Sequence, residues 1–242
     1  MKWDECFIEI CKSLYRIKVT CSSGTYFATG FIIGKFNASE KKVDFILSTA
    51  RHVLDVLPEY ETIHWEVERF DWKGEIINKI SFKTNIEATG VSAIRLHKQF
   101  DVGCISIPYF VNNGENFPVR VIDPRATIMP GARVGWAGFP GFSEKKILRS
   151  HPCYFEGVVS TVVDRDQRLF FLVDGHGGQG VSGGPLWYWN DETSNYEVIG
   201  ICSQYLFSGE ERALPGLVVF ESINPLVAYL QSSSDLVIDI IY

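Results

Sequence analysis

The sequence lacks an excess of positive charge and any long apolar run. Its 23 lysine and arginine residues are outnumbered by 29 aspartate and glutamate residues, which gives a formal net charge of −6. A nucleic-acid-binding surface requires a basic stripe or patch, so we expect no nucleic-acid partner. The sequence has no run of about 18 apolar residues, the length a helix needs to cross a bilayer, so we expect no membrane partner.

A signal sequence and paired cysteine motifs are absent as well. The first residues, Met1 to Cys6, carry acidic side chains and lack an apolar core followed by a small-residue cleavage site. The six cysteines form no C-x-x-C pair, and several lie in apolar strand-like runs, where free thiols are common. These features predict a cytoplasmic protein with reduced thiols. Because cysteine and histidine never cluster at ligand spacing, we expect no metal and no other cofactor.

The periodicity of the sequence is that of strands. Short alternating or apolar runs, separated by turn-forming residues, predict an all-β barrel or sandwich. The predicted strands are 17–21, 26–33, 43–48, 63–69, 76–82, 93–96 and 102–107 in a first half, and 133–137, 145–150, 154–163, 169–174, 184–188, 198–203 and 217–220 in a second. A polar stretch at 108–118 predicts the crossover between the halves. Helix-like spacing occurs near the ends, at 5–15 and 224–230.

Three segments carry reactive residue types in a defined order. His52 closes the segment Thr49–His52, Asp101 heads an apolar run, and Ser182 lies in Gly180-Val181-Ser182-Gly183-Gly184-Pro185. This order of His, Asp and Ser distinguishes between hydrolase folds, because unrelated folds build the same triad from different chain orders. The G-x-S-x-G pattern also fits α/β-hydrolases, but their histidine follows the serine, whereas all five histidines here precede Ser182. A subtilisin-like order would place the aspartate first.

Together these segments resemble the trypsin-like (chymotrypsin-fold) serine peptidases, closest in style to the compact HtrA-like branch without a PDZ domain. The shared motifs are Thr-Ala-x-His, an aspartate heading a strand, and Gly-x-Ser-Gly-Gly-Pro. Further matches are Gly30–Ile33, Gly135–Pro140 and Val198–Ser203. The resemblance covers residues 15–222 and implies one peptidase domain over 1–242. Its expected fold is all-β, with two six-stranded antiparallel β-barrels at about 15–110 and 119–222, short terminal helices, and a C-terminal helix and tail at 223–242.

The resemblance also implies a role for each of the three residues. A serine hydroxyl is a weak nucleophile at neutral pH, and imidazole is a suitable base because its ordinary pKa is about 6.5. His52 is therefore expected to take the proton of Ser182, while Asp101 orients the imidazole and stabilises its protonated form. Glycines allow the sharp turn that directs backbone amides at a developing oxyanion. The family places these donors at Gly180 and Ser182.

The substrate-binding residues follow from the same resemblance. His176, six residues before the nucleophile, corresponds to the base of the S1 pocket, where it would favour an acidic or polar P1 side chain. Ser203, Gln204 and Tyr205 match the strand that pairs with the substrate backbone. Tyr205 stands where the family usually has glycine, so we expect it to narrow the pocket.

These assignments predict a serine endopeptidase that cleaves polypeptides through an acyl-enzyme intermediate. Val181 replaces the aspartate that pairs with a newly freed amino terminus, and no basic-Ile-Val-Gly-Gly start is present, which argues against zymogen activation. Control by a regulatory protein partner, by oligomerisation or by a mobile loop stays open. One alternative is a catalytically idle scaffold that binds protein or peptide partners, and another is an esterase or other acyl transferase that uses the same site.

Overall fold

The structure is a computed structural model that describes residues 3–37, 42–55, 62–71, 73–84, 94–106, 128–141, 150–165, 168–192, 194–206 and 216–231. It is built from two antiparallel sheets and three short helices, which confirms the all-β prediction. The helices are α1 (Trp3–Cys11), α2 (Arg51–Leu54) and α3 (Asn224–Gln231). Within the described ranges, no helix has the length and apolar character needed to span a membrane.

The first sheet has seven described strands in the order β5-β4-β1-β2-β3-β7-β6. They are β1 (Leu14–Cys21), β2 (Gly24–Asn37), β3 (Lys42–Thr49), β4 (Ile63–Phe70), β5 (Ile76–Thr84), β6 (Ile94–Leu96) and β7 (Gly103–Ser106). Alternate residues of β1, such as Ile17 and Val19, are buried on one face, as the period of a strand requires. The expected barrel had six strands, and the described sheet has seven because the three-residue β6 adds to the edge of β7.

The second sheet closes into a barrel of six strands, as expected. Its strands are β8 (Arg133–Gly138), β9 (Cys153–Arg165), β10 (Arg168–Asp174), β11 (Pro185–Asn190), β12 (Asn195–Leu206) and β13 (Leu217–Ser222). Trp136, Trp187 and Phe220 fill its interior and are fully buried. The predicted crossover at 108–118, nearly all of the predicted strand at 145–150, and the tail after residue 231 lie outside the described residues.

The two sheets pack against each other through aromatic and hydrogen-bonded contacts. The rings of Phe70 on β4 and Phe139 after β8 lie 5.6 Å apart, and Phe7 of α1 lies 5.5 Å from Tyr154 of β9. Thr29 of β2 hydrogen-bonds the loop between β10 and β11. One continuous hydrophobic core therefore extends through both halves. Residues from either sheet can meet at this junction.

Candidate active site

The pairing of β3 with β7 brings His52 and Asp101 to the same end of the first sheet. Thr49, the last residue of β3, pairs with Gly103, the first residue of β7. His52 lies three residues after Thr49, and Asp101 lies two residues before Gly103. In an antiparallel pair the end of one strand lies beside the start of the other. The two side chains therefore meet although 49 residues separate them in the sequence.

Asp101 holds His52 through both of its carboxylate oxygens. Oδ2 lies 2.8 Å from His52 Nδ1, and Oδ1 accepts the backbone N–H of His52 at 2.9 Å. That N–H lies in the first turn of α2, whose donors have no partner within the helix. The carboxylate thus fixes both the ring and the backbone of His52. The imidazole side chain is half exposed, whereas the Asp101 side chain is mostly buried.

A third donor to Asp101 is Ser203, whose hydroxyl bonds Oδ2. The register of β12 against β13 shifts between Cys202 and Gln204, so Ser203 occupies a β-bulge. A bulge adds one residue to a strand and redirects its side chain, and bulges are frequent beside active sites. Sequence analysis predicted that Ser203 pairs with substrate and did not predict this contact. The bulge results from long-range pairing and has no local sequence signal.

These three donors determine the charge state of Asp101. Burial alone would raise the pKa of its carboxyl group, but the hydrogen bonds and charge of His52 and the hydrogen bond of Ser203 outweigh burial. The pKa of Asp101 is consequently lower than its ordinary value. Asp101 is therefore ionised at neutral pH and can stabilise a protonated imidazole.

Ser182 lies in the loop between β10 and β11, and the backbone around it is bonded to both sheets. Its carbonyl accepts the N–H of Thr29 at 2.9 Å, and the N–H of Gly183 donates to Cys202 O at 2.7 Å. Gly183 has a φ of +87°, and a Cβ there would lie 2.0 Å from the hydroxyl oxygen of Thr49. Glycine is therefore required directly after Ser182.

Two short connections link this loop to the His52–Asp101 pair. Gly183 bonds Cys202, the neighbour of Ser203, and Ser203 bonds Asp101. Thr49, whose hydroxyl donates to Thr29 O at 2.7 Å, lies three residues before His52. Among the hydrogen bonds of the described residues, none joins the Ser182 hydroxyl to His52. Catalytic hydrogen bonds are often long without substrate and shorten when it binds.

The predicted oxyanion donors, Gly180 and Ser182, lie in a turn that leaves their amides available. Gly180 has a φ of +92°, and the N–H of Val181 bonds Gly178 O at 3.3 Å. The carbonyl before Gly180, that of Gln179, accepts the N–H of Gly141 at 2.6 Å. Within the described ranges, neither the Gly180 nor the Ser182 N–H donates to another residue. Both amides can therefore donate to a further acceptor, as the predicted role of oxyanion donors requires.

The predicted specificity residues lie on the same loop and on β12. The ring of Tyr205 packs against Gly177, where a Cβ would lie 3.0 Å away, and its hydroxyl accepts the N–H of Gly216 at 3.2 Å. Tyr205 thus occupies the space between the β10–β11 loop and the start of β13. His176 and Gln204 are exposed to solvent. The role of His176 in the pocket stays a prediction.

A partly buried ion pair behind Asp101 was not predicted from the sequence. Glu221 on β13 is fully buried and pairs with Arg168, which lines a hollow together with His52 and Asp101. Burial raises the pKa of Glu221, whereas Arg168 and the backbone amide of Asp101 act to lower it. The only sequence signal was one acidic residue at the end of the apolar run 217–220.

Comparison with known proteins identifies the family of the chain. Residues 28–201 match the family described as trypsin-like peptidase domain. No curated protein matches the chain. Among solved structures, the chain is similar to an HtrA-type protease AlgW with tripeptide, at 14% identity and a TM-score of 0.61, over 96% of this chain and 63% of that one. It is similar to a serine endoprotease from Yersinia pestis, at 15% identity and a TM-score of 0.59, over 95% and 65% of the two chains.

A third similar structure is the protease Anisep from Arthrobacter nicotinovorans, at 16% identity and a TM-score of 0.55, over 87% of this chain and 90% of that one. The chain spans slightly less than two thirds of the AlgW and Yersinia pestis proteins. At these identities the structural likeness shows the fold, and the family match covers most of the sequence. The protein belongs to the trypsin-like peptidase family.

Proposed function

We propose that this protein is a serine endopeptidase whose catalytic residues are Ser182, His52 and Asp101. The observation that carries the proposal is the hydrogen-bonded, ionised Asp101 on His52, linked by two short connections to a serine loop with two unpaired amides. An aspartate on His52 Nδ1 selects the tautomer whose other nitrogen, Nε2, can accept a proton. The family match to trypsin-like peptidases supports the same chemistry.

The proposed reaction has two steps that share one base. Ser182 Oγ attacks the carbonyl carbon of a peptide bond while its proton moves to His52 Nε2, and the carbonyl oxygen gains the negative charge. The Gly180 and Ser182 amides stabilise that oxyanion. His52 then gives its proton to the departing amine as the C–N bond breaks, which leaves an acyl ester on Ser182. Water hydrolyses the ester by the same route, and Ser182 recovers its proton.

A fluorophosphonate probe and labelled casein test the proposal directly. The wild type is expected to react covalently with the probe and to cleave casein, whereas Ser182→Ala keeps the fold and loses activity on the order of 10⁶-fold. Ser81→Ala is the matched control, since Ser81 is an exposed serine on β5 remote from the loop. Activity retained by Ser182→Ala would overturn the assignment. A wild type that binds peptides but neither reacts nor cleaves would support the idle-scaffold alternative.

We also propose a substrate class and a cellular location. We expect polypeptide substrates bound along Ser203, Gln204 and Tyr205, because this part of β12 begins at the bulge beside Asp101. A peptide library with varied P1 residues would define the pocket around Tyr205 and test the role of His176. A cytoplasmic location agrees with the reduced thiols of the six cysteines, but it stays a prediction.

A further inference from the structure

Thr29 on β2 makes hydrogen bonds to both ends of the Gly180–Ser182 segment. The residue is fully buried. Its hydroxyl donates to Gly180 O at 2.7 Å and accepts the N–H of Phe139 at 2.9 Å. Its backbone N–H donates to Ser182 O at 2.9 Å, and its carbonyl accepts the hydroxyl of Thr49 at 2.7 Å. Every polar atom of Thr29 is therefore paired, and two of its partners lie in the nucleophile loop.

The bonds around Gly180 fix the direction of its amide. The carbonyl that precedes Gly180 is held by the N–H of Gly141, and the carbonyl of Gly180 itself is held by Thr29. In a trans peptide the C=O and N–H point to opposite sides. Because the Gln179 carbonyl points at Gly141, the Gly180 N–H points away from Gly141. Rotating that peptide would break the bond from Gly141 and displace the Gly180 carbonyl from Thr29.

We propose that Thr29 is a positioning residue that holds Gly180 and Ser182 in the conformation that presents their amides to the oxyanion. The proposal rests on the proposed peptidase function. Thr29 acts from the first sheet on a loop of the second barrel, through a hydroxyl that contacts no reacting atom. Phe139 fixes the orientation of that hydroxyl. The backbone N–H of Phe139 donates to a lone pair of the hydroxyl oxygen, so the hydroxyl proton is directed at Gly180 O.

Two substitutions at Thr29 separate the contribution of the hydroxyl to activity from that of the side-chain shape. Thr29→Val has nearly the same volume but no hydroxyl, while Thr29→Ser keeps the hydroxyl and loses a methyl group. Loss of a direct oxyanion donor lowers kcat by about 10²- to 10³-fold, so misplacing one is expected to cost about 10- to 100-fold. We expect Thr29→Val to lose kcat on this scale with KM changed by less than about twofold, and Thr29→Ser to restore most of it.

Ser48→Ala is the matched control. Ser48 is also fully buried on a neighbouring strand, and its hydroxyl has no hydrogen-bond partner among the described residues. Removal of that hydroxyl should leave kcat and KM at wild-type values. Thr29→Ala serves as a second hydroxyl-free variant if Thr29→Val folds poorly, because it places no methyl group against the Gly180 carbonyl.

Inhibitor binding distinguishes positioning from general loss of structure. The best peptide from the library is prepared as an aldehyde, to which Ser182 Oγ adds to give a hemiacetal whose oxygen lies at the oxyanion position, and as a primary amide, which forms no such adduct. We expect Thr29→Val to weaken aldehyde binding by about the same factor as kcat and to leave amide binding unchanged. Equal weakening of both ligands, or wild-type kcat in an active Thr29→Val protein, would overturn the proposal for Thr29. An inactive wild type would instead refute the peptidase function.

Discussion

The two halves of the candidate site are held by different kinds of interaction. In the first sheet, His52 and Asp101 are fixed by side-chain hydrogen bonds to an ionised carboxylate. At the second barrel, the Ser182 loop is fixed by uncharged hydrogen bonds, including the one from the Thr29 hydroxyl, and by glycines such as Gly183 that leave no room for a Cβ. The first half should therefore respond to changes of charge and pH, and the second to changes of shape.

Of the variants that compare the two halves, the one that removes the charge of Asp101 is expected to have the largest effect. Asp101→Asn should fold normally and lower kcat by about 10⁴-fold, because an amide at this position favours the wrong tautomer of His52. Casein cleavage would measure the loss of activity, and thermal unfolding would show whether the variant folds normally. Asp55→Asn is the control, since Asp55 lines the same hollow but pairs with Arg51 rather than His52. An exposed pair contributes little, so its activity should stay within about threefold of wild type.

An unchanged rate for Asp101→Asn would mean that another carboxylate orients His52. The buried Glu221 would then be the first residue to replace, because its carboxylate interacts with the backbone amide of Asp101. A drop of equal size in Asp55→Asn would show that the total charge of the hollow, and not the contact with His52, governs the rate.

The shape of the loop is tested by adding a single Cβ. Gly183→Ala introduces a methyl group 2.0 Å from the Thr49 hydroxyl at a φ of +87°, so both contacts and backbone must shift. We expect a loss of about 2 kcal/mol or more in the free energy of unfolding, together with loss of peptidase activity. Urea unfolding and casein cleavage would check this.

Gly178→Ala in the same loop is the matched control, because a Cβ at Gly178 has no atom within 4 Å. Its free energy of unfolding should change by less than about 0.5 kcal/mol. Similar losses for the two variants would show that the whole loop, and not the close approach of Gly183 to Thr49, resists substitution.

The sequence predicted the strands and the reactive residues better than it predicted their supporting contacts. Alternation along 17–21 and the apolar run at 43–48 correspond to β1 and β3, because periodicity is a local property. The chain order of His52, Asp101 and Ser182 gave the family, which the comparison confirms. The catalytic roles of these three residues stay predictions.

The contacts of Thr29, Ser203 and Glu221 could not be predicted from the sequence. Thr29 meets Gly180 across 151 residues, and Ser203 meets Asp101 across 102. Each contact depends on the register of strand pairs and on the packing of one sheet against the other. A threonine before Gly30 or a serine after Cys202 has no local pattern that distinguishes it from an ordinary strand residue.

The smallest expected effect is the change in the free energy of unfolding when Ser203 is replaced. The pH dependence of that change distinguishes a hydrogen bond to the ionised Asp101 from a hydrogen bond to an uncharged group. The folded protein lowers the pKa of Asp101, so the ionised carboxylate stabilises the fold above the unfolded pKa of about 4. This stabilisation is lost as the pH falls through the lowered pKa. Ser203→Ala removes one donor and moves the pKa of Asp101 back toward its ordinary value.

Ser203→Ala should therefore cost about 1.5 kcal/mol at neutral pH, the scale of a hydrogen bond to a charged group, and progressively less below about pH 4. Ser13→Ala is the control, because the buried Ser13 hydroxyl donates to the uncharged carbonyl of Ile10 at 2.8 Å. Its cost should be the same at every pH. Urea unfolding between about pH 3 and pH 7 would measure both differences. If the cost of Ser203→Ala were equally independent of pH, the hydroxyl of Ser203 would not be acting on an ionised Asp101. The proposed difference between the two halves, one held by a charge and the other by the shape of its loop, would then be wrong.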